Sequence, residues 1–238
     1  MGEPSPDNVG ELRAVIVDQL SSLQENEDFI GNVTRQLEDY GFEVDLYQGE
    51  DITVEFYRQL PEHGYKLIIL RAHSGLLAED EEIVMQTTLF TNEEYSQLKH
   101  YAEQLDDRLV MARVGQGYPM VFGIPPKFIR ESMEGKFDDA VVIMMGCSGL
   151  FLKDLAEAFV AKGASLYLAW NGTVELNYVD YATPHLMKQL CSGNLTIKEA
   201  VDSTMAGIGP DPEYGADLKY YYDPLSQNGD KTLKELIR

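Results

Sequence analysis

The stretch DAVVIMMGCSG, residues 139–149, decides the fold. Its apolar run is uninterrupted for six residues, which is typical of a central strand covered on both faces of a sheet. Small and polar residues follow at once, so the strand is predicted to end in a tight turn around Cys147. Residues 150–162 (LFLKDLAEAFVAK) then predict an amphipathic helix that ends at Gly163.

Other segments on both sides repeat this strand-then-helix order. Patterns typical of strands occupy residues 14–17, 42–47, 66–71 and 165–170, and in residues 42–47 apolar and acidic residues alternate. Phe29 to Tyr40 carries apolar residues at helical spacing with Gly41 as a stop, and residues 54–60 predict a shorter helix. This alternation predicts an α/β fold, a three-layer αβα sandwich with a mostly parallel central sheet.

The segment between the third and fourth main strands is less regular and is predicted to be an insertion. An acidic run (79–82) precedes a strand or hairpin arm at 83–90, and a helix is expected over 92–105 with Thr91 as its N-cap. Two paired short strands, around 108–114 and 120–123, and a short helix should follow. Two helices (181–190 and 196–205) come later, the second with a Thr196/Glu199 capping box. We expect one domain over 11–238, preceded by a flexible lead-in at 1–10, the cut end of a linker.

The composition excludes several classes of function. Nineteen basic against forty acidic residues give a net charge of −21, which is unsuited to nucleic acid or anionic membranes. The 44% hydrophobic content indicates a packed core. No apolar run is long enough to span a bilayer, and the first residues lack a signal-peptide pattern. Two cysteines without metal-ligand spacing indicate reduced thiols, so a cytoplasmic location is expected, with an exported or multidomain parent chain left open.

Reactive residues follow two of the predicted strands. The third strand runs into RAHSG with His73, and the fourth into GCSG with Cys147. In parallel sheets the catalytic groups sit beyond the carboxyl ends of the strands, so neighbouring strands would bring this imidazole and thiol together. An imidazole and the N-terminus of the helix predicted from residue 150 would both favour a nucleophilic thiolate. A buried cysteine and an unrelated surface histidine remain the alternative.

The order of these motifs resembles the caspase-like cysteine peptidases of clan CD, which include caspases, metacaspases, legumain, clostripain, gingipains, separase and CHAT domains. The resemblance covers residues 11–208 and is closest to the CHAT and gingipain-like branches. It is carried by HSG, VVIMMGCSG, the following helix, GAS, LYLAWNG, FGIPPKFI and YATPHLMKQLCSGNLTIKEAV. It implies a cysteine endopeptidase that works through a thioester and needs no cofactor or metal.

The resemblance also implies roles for matching residues. His73 would be the acid/base, Cys147 the nucleophile, and the amide of Cys147 one oxyanion donor. The second donor is the amide of a glycine directly after the histidine in many relatives. This chain has Ser74 there and Gly75 one later, and an amide donor needs no particular side chain. The candidates for the specificity pocket, partly for a basic P1 side chain, are Met144 and Met145, Asn171, Glu175, Asp180 and Asp18. The methionines are alternatively core residues.

Three alternatives stay open at this point. MGCSG also resembles the nucleophile elbow of a glutamine amidotransferase-like hydrolase, but that class takes a downstream His with a Glu two residues later. The downstream His185 is followed two residues later by Met187. A caspase-like module without catalysis is the second alternative, and calcium binding at the acidic stretches 79–82 and 211–217 is the third. The favoured substrate is a peptide or protein, with a bias toward basic sequences.

Overall fold

The computed structural model describes residues 12–79 and 82–237. The predicted lead-in at 1–10 and residues 80 and 81 of the acidic run lie outside the described residues. The strands, in chain order, are β1 Arg13–Asp18, β2 Glu43–Gln48, β3 Leu67–Arg71, β4 Ser74–Glu79, β5 Glu82–Glu94, β6 Val110–Ala112, β7 Val121–Ile124, β8 Val141–Met144, β9 Leu166–Trp170 and β10 Leu218–Tyr221. The helices are α1 Glu27–Tyr40, α2 Val54–Gln59, α3 Tyr101–Leu105, α4 Pro126–Glu131, α5 Asp154–Ala161, α6 Leu176–Leu190, α7 Ile197–Ile208 and α8 Leu233–Leu236.

The main sheet has the order β10-β9-β8-β3-β1-β2. All its neighbours are parallel except β10, which pairs antiparallel with β9. Successive residues of a strand point to opposite faces, so Val142 packs under α4 and α5 while Val141 packs under α1, α6 and α7. Both faces are therefore buried, which explains the uninterrupted apolar runs, and the predicted three-layer αβα sandwich is confirmed.

The insertion between β3 and β8 forms a second, antiparallel sheet of order β4-β5-β7-β6. The predicted pairing of the two short strands is confirmed as β6 with β7. The helix expected over 92–105 is wrong: β5 continues to Glu94, and only Tyr101–Leu105 is helical. Thr91, the expected N-cap, instead donates its hydroxyl to the Phe122 carbonyl. The neighbouring Asn92 side-chain amide donates to the carbonyls of Gln19 and Gly49.

Two helix starts also differ from the sequence prediction. The helix after Cys147 begins at Asp154 instead of residue 150, and α6 begins at Leu176 instead of residue 181. The capping box of Thr196 and Glu199 is present at the start of α7, as predicted. No helix in the described ranges is long and apolar enough to cross a membrane.

Candidate active site

His73 and Cys147 lie at corresponding positions beyond the ends of two adjacent strands. β3 and β8 pair in parallel from Leu67↔Val141 to Leu70↔Met144, an offset of 74 positions. His73 and Cys147 differ by the same 74 positions, so each lies three residues past the last pair of the ladder. The structure thus brings the two together at the carboxyl edge of the main sheet, where ligands bind in open parallel sheets.

The two loops touch closely just before the cysteine. The Ser74 hydroxyl donates to the carbonyl of Cys147 at 2.5 Å. A Cβ atom on Gly146 would lie 2.2 Å from the Ala72 carbonyl oxygen and 2.7 Å from the Ser74 hydroxyl oxygen. Real Cβ atoms do not approach other atoms so closely, so only glycine allows the loop after β8 to pack against the loop after β3.

The Cys147 loop is fastened to the end of β9. Ser148, at a φ of 57°, donates its N–H to the Gly172 carbonyl at 2.8 Å, and the Leu150 N–H donates to Trp170 at 2.9 Å. The half-buried Cys147 thiol lies 3.7 Å from the Val174 carbonyl oxygen, to which it donates. These bonds hold the segment before α5 in turns, and the helix begins only at Asp154. Because the effect of a helix dipole is confined to the first turn, the prediction that a helix N-terminus activates this thiol is wrong.

The backbone of His73 is fixed on both sides. Its N–H donates to the Gln19 side chain at 2.9 Å, and its carbonyl accepts from the Phe90 N–H at 3.0 Å. Burial lowers the pKa of the imidazole from its ordinary value of 6.5, and the charge of Arg71 lowers this pKa further. The histidine is therefore neutral at pH 7, which is the form that accepts a proton.

Two backbone N–H groups at this edge are relevant to the predicted oxyanion donors. In the described part of the chain the Cys147 N–H has no acceptor. In an antiparallel pair of strands, opposite residues alternate between pairs that are hydrogen-bonded to each other and pairs that are not. The Phe90 N–H donates to His73, so the next pair, Ser74 and Leu89, is not hydrogen-bonded. The pair after that is bonded again, and the Gly75 N–H is directed to Thr88. The Ser74 N–H consequently points away from β5, and this geometry favours Ser74 over Gly75 as the second donor.

A buried ion cluster lies beneath the His73 loop. Arg71 is fully buried and donates to both carboxylate oxygens of Asp180, each at 2.8 Å, and to Asp18 at 2.6 Å. It also donates to the Gln24 carbonyl at 3.0 Å. Both carboxylates had been expected as candidates for binding a basic side chain of a substrate, and the structure instead gives them an internal partner. Arg71 ends the buried run LIILR, and a charge buried there must be paired. This residue could therefore have predicted an internal carboxylate partner from the sequence.

The other pocket candidates differ in their accessibility. Met145 is 1% exposed and packs in the core. The Asn171 side chain accepts from the Asp217 N–H at 2.8 Å. Glu175 is half-buried, and its N–H donates to the buried carboxylate of Asp211 at 2.9 Å. Three of the six candidates are carboxylates, and Glu175 is the one that Arg71 does not hold.

One neighbour of the thiol was not anticipated from the sequence. The pKa of Tyr214 is raised, first by the charge of Glu213 and then by partial burial, with further contributions from Glu175 and Cys147. The loop that carries this tyrosine is held by Asp211, which accepts the N–H groups of Glu213 and Tyr214. No local pattern in the chain predicts this electrostatic interaction, because it depends on the packing of a distant turn.

Comparisons with known proteins agree with the fold. No family model matches the chain, and no curated protein matches it by sequence. Among solved structures, the Saccharomyces cerevisiae separase–securin complex matches over 89% of this chain at 14% identity, with a TM-score of 0.50. The matched part is 12% of the length of that chain. A flavodoxin from Streptococcus pneumoniae TIGR4 matches 71% of this chain and 93% of its own at 12% identity, but its TM-score is only 0.31. The chain therefore has a caspase-like fold.

Proposed function

We propose that this chain is a cysteine endopeptidase of the caspase-like group, in its CHAT or gingipain-like branch. The observation that carries the proposal is the common register position of His73 and Cys147 on adjacent parallel strands. The unpaired Cys147 N–H and the direction of the Ser74 N–H support it further. This set contains the nucleophile, the base and the oxyanion donors that acyl transfer needs.

Each of these residues has a separate role in the proposed reaction. His73 accepts the thiol proton as Cys147 Sγ forms a bond to the scissile carbonyl carbon, and the two N–H groups bind the resulting oxyanion. The C–N bond then breaks, His73 gives its proton to the departing amine, and a thioester remains. A water molecule loses a proton to His73 and attacks the thioester, which releases the carboxylic acid and restores the thiol. Glu175 remains the candidate for binding a basic P1 side chain.

The test is a scan of internally quenched peptides, half with Arg or Lys at P1, against the wild type, Cys147→Ala and His73→Ala. We expect cleavage by the wild type and at least a 100-fold loss in both variants, since a general base contributes about 10²–10⁴-fold. Each variant is checked for an unchanged urea midpoint. Preference for basic P1 residues that disappears in Glu175→Gln would support the pocket assignment.

Iodoacetamide labelling provides an internal comparison. Burial raises the pKa of Cys191 to about 12, so this thiol should label slowly. Cys147 should label faster, and the difference should shrink in His73→Ala. A wild type that cleaves no peptide and labels Cys147 no faster than free cysteine would contradict the peptidase and favour a caspase-like module without catalysis. Hydrolysis of free glutamine would instead support an amidotransferase-like enzyme.

A further inference from the structure

A groove on the insertion sheet lies near the loop that carries His73. It has a volume of about 280 Å³ and is lined by residues of β4, β5 and β6 together with the residue that follows β6. Its lining includes Gly75, Leu76, Thr88, Phe90, Met111 and Arg113. None of the roles assigned above uses this groove, apart from the backbone of Gly75.

Two lining residues place the groove next to the His73 loop. Gly75 comes two residues after His73, and the Phe90 ring centroid is 6.0 Å from that of His73. On the other side of the thiol, the Cys147 loop is bonded to the segment from Gly172 to Val174. The imidazole protonates the departing amine, so the part of the substrate after the scissile bond must leave on the imidazole side. That side is where the groove lies.

The chemistry of the groove has an apolar and a polar part. Phe90 and Met111 provide apolar surface, and Met111 is 49% exposed. The Thr88 hydroxyl is buried, and no partner for it exists within the described ranges. A buried polar group of this kind normally has a hydrogen-bond partner, so the lining of the groove includes a polar side chain that the described part of the chain leaves unsatisfied.

Arg113 gives the groove a positive charge. It is exposed, and no described carboxylate lies within ion-pair distance of it, although the chain has 40 acidic residues. By contrast, Arg58 and Arg108 are paired with carboxylates. An unpaired guanidinium beside an apolar surface is suited to bind a carboxylate through two parallel hydrogen bonds.

We propose that this groove binds the substrate segment that follows the scissile bond, and that Arg113 selects an acidic side chain in that segment. The inference rests on the proposed peptidase function and adds a specificity that the net charge of the chain does not suggest. An overall charge of −21 favours basic substrates at long range, whereas contact with Arg113 favours Asp or Glu within the first few residues after the cleaved bond.

The test uses three substrates with the same residues before the scissile bond. One has Glu in the segment after the bond, the second has Gln at the same position, and the third has only a coumarin amide there. For the wild type we expect kcat/KM to favour Glu over Gln about tenfold, since a hydrogen bond between charged groups is about twice as strong as one between neutral groups. This ratio should fall to about one in Arg113→Gln and be partly restored in Arg113→Lys, while Arg113→Gln still hydrolyses the coumarin amide.

Arg130→Gln is the matched control, because Arg130 is also exposed and has no ion pair with a described residue, but it lies on α4, outside the groove. It should leave the tenfold ratio unchanged. Binding of the Glu and Gln peptides to Cys147→Ala, followed by fluorescence anisotropy, separates the two proposals. If the wild type hydrolyses none of the three substrates, the proposed peptidase function is contradicted. If the two peptides bind equally well, or if the Glu-to-Gln ratio is unchanged in Arg113→Gln, the inference about the groove is overturned.

Discussion

Two arginines lie near the His73 loop, and they differ in burial and in ion pairing. Arg71 is fully buried, and its donors are bound to Asp18, Asp180 and the Gln24 carbonyl. Arg113 is exposed beside a groove and has no carboxylate partner in the described part of the chain. A buried charge must be paired within the fold, so the first arginine joins β1, β3 and α6. The second has no such partner among the described residues, so it can meet a charge that comes from outside.

Replacement of Arg71 should have the largest effect on stability. Arg71→Met leaves the carboxylates of Asp18 and Asp180 buried without a cation, and removal of one partner of a buried ion pair costs about 3–5 kcal/mol. Arg113→Met should change the free energy of unfolding by less than about 0.5 kcal/mol, as is usual at the surface. Urea unfolding curves of both variants measure the difference.

A neutral version of the cluster sharpens this result. Arg71→Met combined with Asp18→Asn and Asp180→Asn removes all three charges, so it should recover part of the lost stability. If Arg71→Met unfolds at the same urea concentration as Arg113→Met, the cluster does not hold the ends of these strands together.

A smaller effect is expected where the two loops touch. In Gly146→Ala the new Cβ would meet the Ala72 carbonyl at 2.2 Å, so the Cys147 loop must move away from the Ser74 hydroxyl. A displacement of about 1 Å at reacting groups can cost about 100-fold in rate, and we expect a loss of this size in kcat/KM. Gly31→Ala, in α1 with no atom within 4 Å of the added Cβ, is the control and should keep full activity. Equal activity of the two variants would mean that the loops need no close approach.

The sequence predicted the main sheet better than the insertion for a physical reason. Strands buried on both faces, such as LIILR and VVIM, are uninterrupted apolar runs that need no knowledge of their neighbours. The end of β5 carries polar residues whose partners, Phe122 and Gln19, are distant in the chain, so its extended structure has no local pattern. Long-range packing decides such segments.

The candidate site was likewise predicted only in part. The residues that follow two strong strands, His73 and Cys147, were recognised from the sequence, and the register explains why they meet. The partners of Asp18 and Asp180 were not recognised, because pairing with Arg71 depends on how α6 packs against the sheet. Tyr214 was missed for a similar reason, since a buried Asp211 positions its loop.

The smallest effect concerns pH, and it tests which arginine acts on His73. Burial first and the charge of Arg71 second lower the pKa of His73 below 6.5, and Arg113 is not among the causes. The acid limb of kcat/KM should therefore lie below pH 6.5 and stay there in Arg113→Gln.

The same shift affects stability, because the unfolded chain binds this proton at a higher pH than the folded chain. His73 therefore makes the free energy of unfolding fall as the pH drops from 6.5 through the lower pKa of the folded chain. His73→Gln should lose less stability than the wild type between pH 7.5 and 5; an equal loss, or an acid limb above 6.5, would show that the imidazole is not held neutral.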